Sequence, residues 1–135
     1  MLEKSPPFPK IFRNNNVPPK DAIFDFVSSI LSRSRKCFEL WNECKLVGEA
    51  VLPILSVLYN NAKAVLQVQQ CHNKDVSKFT GLTSFQIFNA KKYVGKYTDD
   101  ELIDMLLRIR KCEKGIKTGT IEEQYVIDYL LVSTL

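Results

Sequence analysis

The sequence of 135 residues is poor in the groups on which most enzyme chemistry rests: it has one histidine, five glycines and four cysteines without a C-x-x-C pair. A lone His72 cannot supply the imidazoles of a zinc site, and Cys37, Cys44, Cys71 and Cys112 lack metal-type or redox spacing. They read as reduced thiols packed in a core. Scarce glycine also leaves no loop to cradle phosphate. In Gly95-Lys96-Tyr97-Thr98, Tyr97 stands where a magnesium-binding hydroxyl is needed and Ala90 where the first glycine belongs. In Gly115-Ile116-Lys117-Thr118-Gly119, Ile116 replaces the glycine before lysine. No cofactor or metal is expected. Apolar runs stay short of the roughly 20 residues of a membrane span. Lys4 is followed by Pro6, Pro7 and Pro9 rather than by an apolar stretch, unlike a secretion signal. The expected location is the cytoplasm.

Catalytic constellations are equally thin. Asp75 and Ser77 stand near His72, but nothing sets a nucleophile on a strained turn or builds an oxyanion hole. Asp99, Asp100, Glu101 and Asp104 gather at a helix start, where negative charge opposes the macrodipole, and need no acid/base role. The chain is expected to be non-catalytic.

The net charge of +4 hints at nucleic acid until it is located. Residues 1–20 hold Lys4, Lys10, Arg13 and Lys20 against Glu3, and the rest holds 15 basic and 14 acidic side chains. The body is almost neutral, unlike a domain that draws affinity from phosphates. A local asymmetry remains, with six lysines against Asp75 between Lys63 and Lys96, and eight acids against five bases from Asp99 onward. Such poles suit an assembly surface.

Five of the six prolines and the run Asn14-Asn15-Asn16 fall before Asp21, so residues 1–20 read as an irregular linker or tail and residues 21–135 as one domain. Apolar spacing in that domain is helical. Ile23, Phe26, Val27, Ile30 and Leu31 predict a first helix capped by Asp21. Cys37, Leu40, Trp41, Cys44 and Val47 predict a second, stopped at Gly48. The run from Val51 to Leu66 predicts a long central helix with Pro53 in its first turn, where a missing N–H costs little. A short pair follows over 75–79 and 84–92, joined at Gly81. Thr98 with Glu101 forms a capping box for a long helix ending near Gly119, and Thr120 with Glu123 repeats it before a final apolar helix. The fold class is an all-α bundle of five to six helices.

The short pair has the outline of a helix-turn-helix, with Lys91 and Lys92 flanking its second helix. Its exposed positions would carry Phe85 and Phe88 rather than the Arg, Asn or Gln that read base edges. A helix-turn-helix nucleic-acid binder is the alternative reading.

The order of segments resembles the C-terminal collar domain of the delta subunit of bacterial DNA polymerase III, part of the clamp loader. Ala22 to Ile30 is similar to the family's opening helix and Gly48 to Gln70 to its central helix. Thr80-Gly81-Leu82-Thr83-Ser84-Phe85, running on to Tyr93, resembles its short helix pair. The run from Asp100 to Gly119, closing on Ile116-Lys117-Thr118-Gly119, carries the strongest likeness. The family's upstream AAA+-like and lid domains could not fit in 20 residues, so the chain is expected to be the C-terminal domain alone. The resemblance implies assembly into a ring with the other clamp-loader subunits, delta prime and gamma/tau, with DNA and sliding clamp reached only through other domains or the whole complex. Interface composition, aromatic with arginine and lysine, picks out Phe85, Phe88, Lys92, Tyr93, Arg108, Arg110, Lys114, Tyr125 and Tyr129. The plainer reading is that most of these aromatics fill the core.

Overall fold

The computed structural model describes residues 19–46, 48, 50–71 and 75–135, and the lead before Pro19, Val47 and His72 lie outside the described residues. Seven helices and no strand are found among them: α1 (Pro19–Leu31), α2 (Lys36–Leu46), α3 (Val51–Cys71), α4 (Val76–Thr80), α5 (Ser84–Lys91), α6 (Asp99–Thr118) and α7 (Glu123–Thr134). The all-α expectation holds. α1 begins at Pro19, three residues before the Ala22 start that an Asp21 cap implies, because a proline's fixed φ and missing N–H suit a first helical turn. Asp21 therefore lies inside the helix and is not its cap.

The centre is α3, which packs on α1, α4, α5, α6 and α7. Its length and apolar composition would suffice to cross a bilayer. The 3.6-residue repeat instead turns Val51, Ile54, Leu55, Leu58, Ala62, Val65 and Val68 inward, and Asn60 and Lys63 face solvent. Around it close Phe26, Ile30 and Leu31 of α1, Leu102, Met105 and Ile109 of α6, and Ile127, Leu130 and Leu131 of α7. Each such side chain contributes roughly 1.5–3 kcal/mol by leaving water. All four cysteines are buried, and burial pushes the Cys37 and Cys112 thiols up.

Two helices end in the same turn by different means. After α6, Gly119 sits at φ 77° while Thr120 N–H donates to Gly115 C=O at 2.9 Å and Gly119 N–H to Ile116 C=O at 3.2 Å. After α1, Ser34 N–H donates to Ser29 C=O and Arg33 N–H to Ile30 C=O, both at 2.9 Å, but the left-handed position is Arg33 at φ 59°. An arginine there carries strain on the order of 1–2 kcal/mol that glycine avoids. Its side chain offsets this. The guanidinium forks onto both Glu101 carboxylate oxygens (3.2 and 2.9 Å), donates to Lys96 C=O (3.1 Å) and lies 4.6 Å over the Tyr97 ring. Tyr97 OH in turn donates to Ile30 C=O at 2.6 Å inside the core. The α1–α2 turn is thus fastened to the start of α6.

The Thr98–Glu101 capping box forms as expected, with Glu101 N–H donating to Thr98 Oγ1 and Thr98 N–H to Glu101 Oε1. The Thr120–Glu123 box does not. Thr120 lies in the turn and its hydroxyl bonds Thr118 Oγ1 at 2.6 Å, so Glu122 takes the cap position of α7 without a side-chain bond. The turn is drawn tight by Gly115, where any Cβ would overlap the Ile121 side chain.

Candidate interaction surface

α5 is a short helix with little holding it inward. A capping box fixes its start, Thr83 Oγ1 accepting from Gln86 N–H at 3.2 Å and Gln86 Oε1 from Thr83 N–H at 2.8 Å. Ala90 is its single buried residue. Small Ala90 on the α3 side lets the backbones approach, and the helical repeat then sends Phe85 and Phe88 outward, 63% and 65% exposed. The Lys92 ammonium lies 5.1 Å over the Phe88 ring. Tyr93 is half-buried and shares a 2.8 Å hydrogen bond with Ser28 of α1. Phe24, Phe85 and Tyr93, with Asn61 and Asn89, line a cleft of about 400 Å³ between α1 and α5.

A second patch is carried by α7. Val126, Ile127, Leu130 and Leu131 face inward, and the Trp41 indole N–H donates to Asp128 Oδ1 at 3.1 Å, fixing the rotation of the helix. Tyr125, Tyr129 and Val132, at i, i+4 and i+7, then form one outward stripe, the tyrosines 60% and 51% exposed. α5 and α7 both pack on α3 and share no substantial contact.

The nine residues singled out from composition therefore do not form one surface. Phe85, Phe88, Lys92 and Tyr93 fall in the first patch, Tyr125 and Tyr129 in the second. Arg108 is committed internally, donating to Ser133 C=O at 3.2 Å. Arg110 lies 4.1 Å over the Tyr59 ring and 3.7 Å from Glu113, and the Tyr59 contact raises its pKa further. Lys114 is exposed on α6. Exposure excludes the core reading for Phe85, Phe88, Tyr125 and Tyr129. Phe24, Leu107 and Val132 were not anticipated and are also exposed. Their signal in the sequence is that they fall off the buried stripe of their own helices.

The helix-turn-helix outline is present locally, with Asp75 capping α4 and Gly81 at φ 74° ending it. The large outward side chains of α5 are nonetheless Phe85 and Phe88, which present no hydrogen-bond donors or acceptors to base edges, and the exposed Gln86 spends its carbonyl oxygen on the Thr83 capping box.

The order and capping of these helices carry over into the comparison with known proteins: residues 20–134 match the DNA polymerase III delta subunit, C-terminal domain. The chain belongs to that family. Among solved structures, this delta C-terminal domain is similar to the Bacillus subtilis DNA clamp loader delta protein, with a TM-score of 0.74 and 15% identity over 87% of the chain. A likeness at that identity concerns the fold. The chain spans 36% of the length of that protein. A search of curated proteins finds no match. The four stretches that resemble the family fall in α1, in α3, in α4–α5 and in α6, each of them a helix or helix pair of the delta C-terminal domain.

Proposed function

We propose that this delta C-terminal domain, residues 21–135 with 1–20 as linker, is a non-catalytic collar module that packs side by side with delta prime and gamma/tau in a cytoplasmic clamp loader. The observation that carries the reading is the pair of separate aromatic patches. A member of a ring touches two neighbours through two different faces, and α5 and α7 supply one each. Aromatic side chains set among Lys92 and the polar Asn89 match the composition of interface centres with polar rims. DNA and the sliding clamp are reached by the assembled complex.

Capture of delta prime and gamma/tau by the purified domain tests this. Phe85→Ala with Phe88→Ala weakens binding to one neighbour by roughly 30-fold or more, the scale of interface hot spots, and leaves the helical circular dichroism intact. Tyr125→Ala with Tyr129→Ala does the same for the other. Wild-type domain that is folded yet captures neither subunit sinks the reading, as does ATP hydrolysis by the domain. Duplex-DNA binding with a steep salt slope lost in Lys91→Ala/Lys92→Ala would favour the helix-turn-helix alternative.

A further inference from the structure

α6 has a second face that neither aromatic patch uses. Its inner side is buried through Leu102, Met105, Ile109, Cys112 and Gly115. Opposite these, Asp100, Ile103, Leu107, Lys111 and Lys114 are all exposed. At about 100° per residue they share an arc of about 80°, a single stripe four turns long, and the exposed Asp104 adjoins its edge about 20° further round. Leu107 is 64% exposed and Ile103 39% at its middle, more apolar area than a purely solvated helix face shows. Charge is segregated along it. Asp100 and Asp104 occupy the N-terminal half, Lys111 and Lys114 the C-terminal half, and none of the four is in an ion pair among the described residues.

That order is self-complementary about Leu107. In two antiparallel copies of α6 related by a two-fold axis through Leu107, a residue three or four positions before Leu107 lies level with one three or four after it on the second copy, and a residue seven before with one seven after. Asp104 then stands beside Lys111 of the second copy, Asp100 beside Lys114 of the second copy, and Leu107 meets Leu107. Each pair occurs twice, giving four ion pairs around an apolar centre. A parallel pairing would set acid against acid. We propose that the exposed face of α6 is a self-association surface that pairs two copies of this chain antiparallel through Leu107. The proposal is independent of the collar reading, which rests on α5 and α7. A contact of one helix with one helix is small, so the dimer is weak and exchanges rapidly.

Sedimentation across protein concentrations from about 10 µM to 1 mM, where contacts of this strength dissociate, tests it. Association is expected to rise with concentration and to fall as salt screens the pairs. Asp104→Lys weakens it roughly tenfold by creating two like-charge contacts, and Asp104→Lys combined with Lys111→Asp restores it, with circular dichroism confirming both folds. Leu107→Cys gives a second, orientation-specific test. Packed helices lie about 8–10 Å apart, which brings residues on the dyad within disulfide reach. Mild oxidation should link Leu107→Cys into dimers faster than the more exposed Leu46→Cys on α2. Three results each overturn the proposal: sedimentation as a monomer throughout, a double reversal that fails to restore, or equal cross-linking at both cysteines. Loss of association in Phe85→Ala/Phe88→Ala would place the contact on α5 and overturn it too, while leaving the collar reading standing.

Discussion

α5 and α6 begin alike and end up serving different purposes. Both open on a threonine capping box, yet α6 buries five residues in the core and α5 buries only Ala90. The two phenylalanines of α5 forgo roughly 1.5–3 kcal/mol each of burial that the fold could have used. α6 is also tied from outside, through Arg33 and Tyr97, whereas α5 is held by its own cap and rests on α3 with only Ala90 fully buried and Ile87 and Asn89 half-buried. The difference separates a helix that stabilises the domain from one that the domain displays. A helix whose largest apolar side chains face water completes its burial against another molecule.

The largest effect expected from this contrast comes from two truncations. Ile109→Ala, at a position with 0% exposure, lowers the free energy of unfolding by about 2–5 kcal/mol in urea titration. Phe88→Ala changes it by no more than about 0.5 kcal/mol, although the side chain removed is larger. A loss of more than 2 kcal/mol for Phe88→Ala in the isolated domain would show that α5 is built like α6 and would erase the distinction.

The clasp at the start of α6 gives the next largest effect and a pH signature. Tyr97→Phe removes the buried hydrogen bond to Ile30 C=O, which keeps its bond from Arg33 N–H, so the cost is that of one hydrogen bond, about 1–1.5 kcal/mol. Burial pushes the Tyr97 phenol up to about 12, from an ordinary value of 10. Between those values the unfolded chain has lost the proton that the folded chain keeps, so stability falls as pH rises through the window. Tyr97→Phe should flatten that loss. At the acid end the sign reverses. The Arg33 hydrogen bonds hold the Glu101 carboxyl below its ordinary range, so the stability of the pair is present above that range and is lost as pH falls through it. Arg33→Ala should weaken this acid dependence, leaving the part that the Thr98 N–H bond to Glu101 supplies, and keep the alkaline one in place.

What could be read ahead of the structure divides along the same line. The helices, the Thr98 box and the Gly119 stop depend on residues within four positions of one another, and the spacing expresses them directly. The clasp joins Arg33 to Glu101 across 68 positions and hangs on a left-handed arginine, a conformation that residue type argues against. The Thr120–Glu123 box has the right letters. It fails because the approach of Ile121 to Gly115 sets the turn, a packing fact outside any local motif. For the surface, helical periodicity placed Phe85 and Phe88 outside once the short helix was drawn. Arg108 and Arg110 were grouped with them by composition alone, and the structure spends both on contacts within the chain.

The smallest expected effect compares the two capping boxes directly. Thr98→Ala removes a hydroxyl that accepts from Glu101 N–H, and Glu101 is also the anchor of Arg33. Fraying there disturbs the clasp, so the cost of about 1 kcal/mol appears in global unfolding. Thr83→Ala removes the equivalent bond to Gln86 N–H, but α5 can fray without opening the core because only Ala90 is buried. Native-state hydrogen exchange should therefore show faster exchange confined to the α5 amides and an almost unchanged global value. Equal global losses for the two variants would mean that α5 is coupled to the core as tightly as α6, and its displayed phenylalanines would need a different explanation.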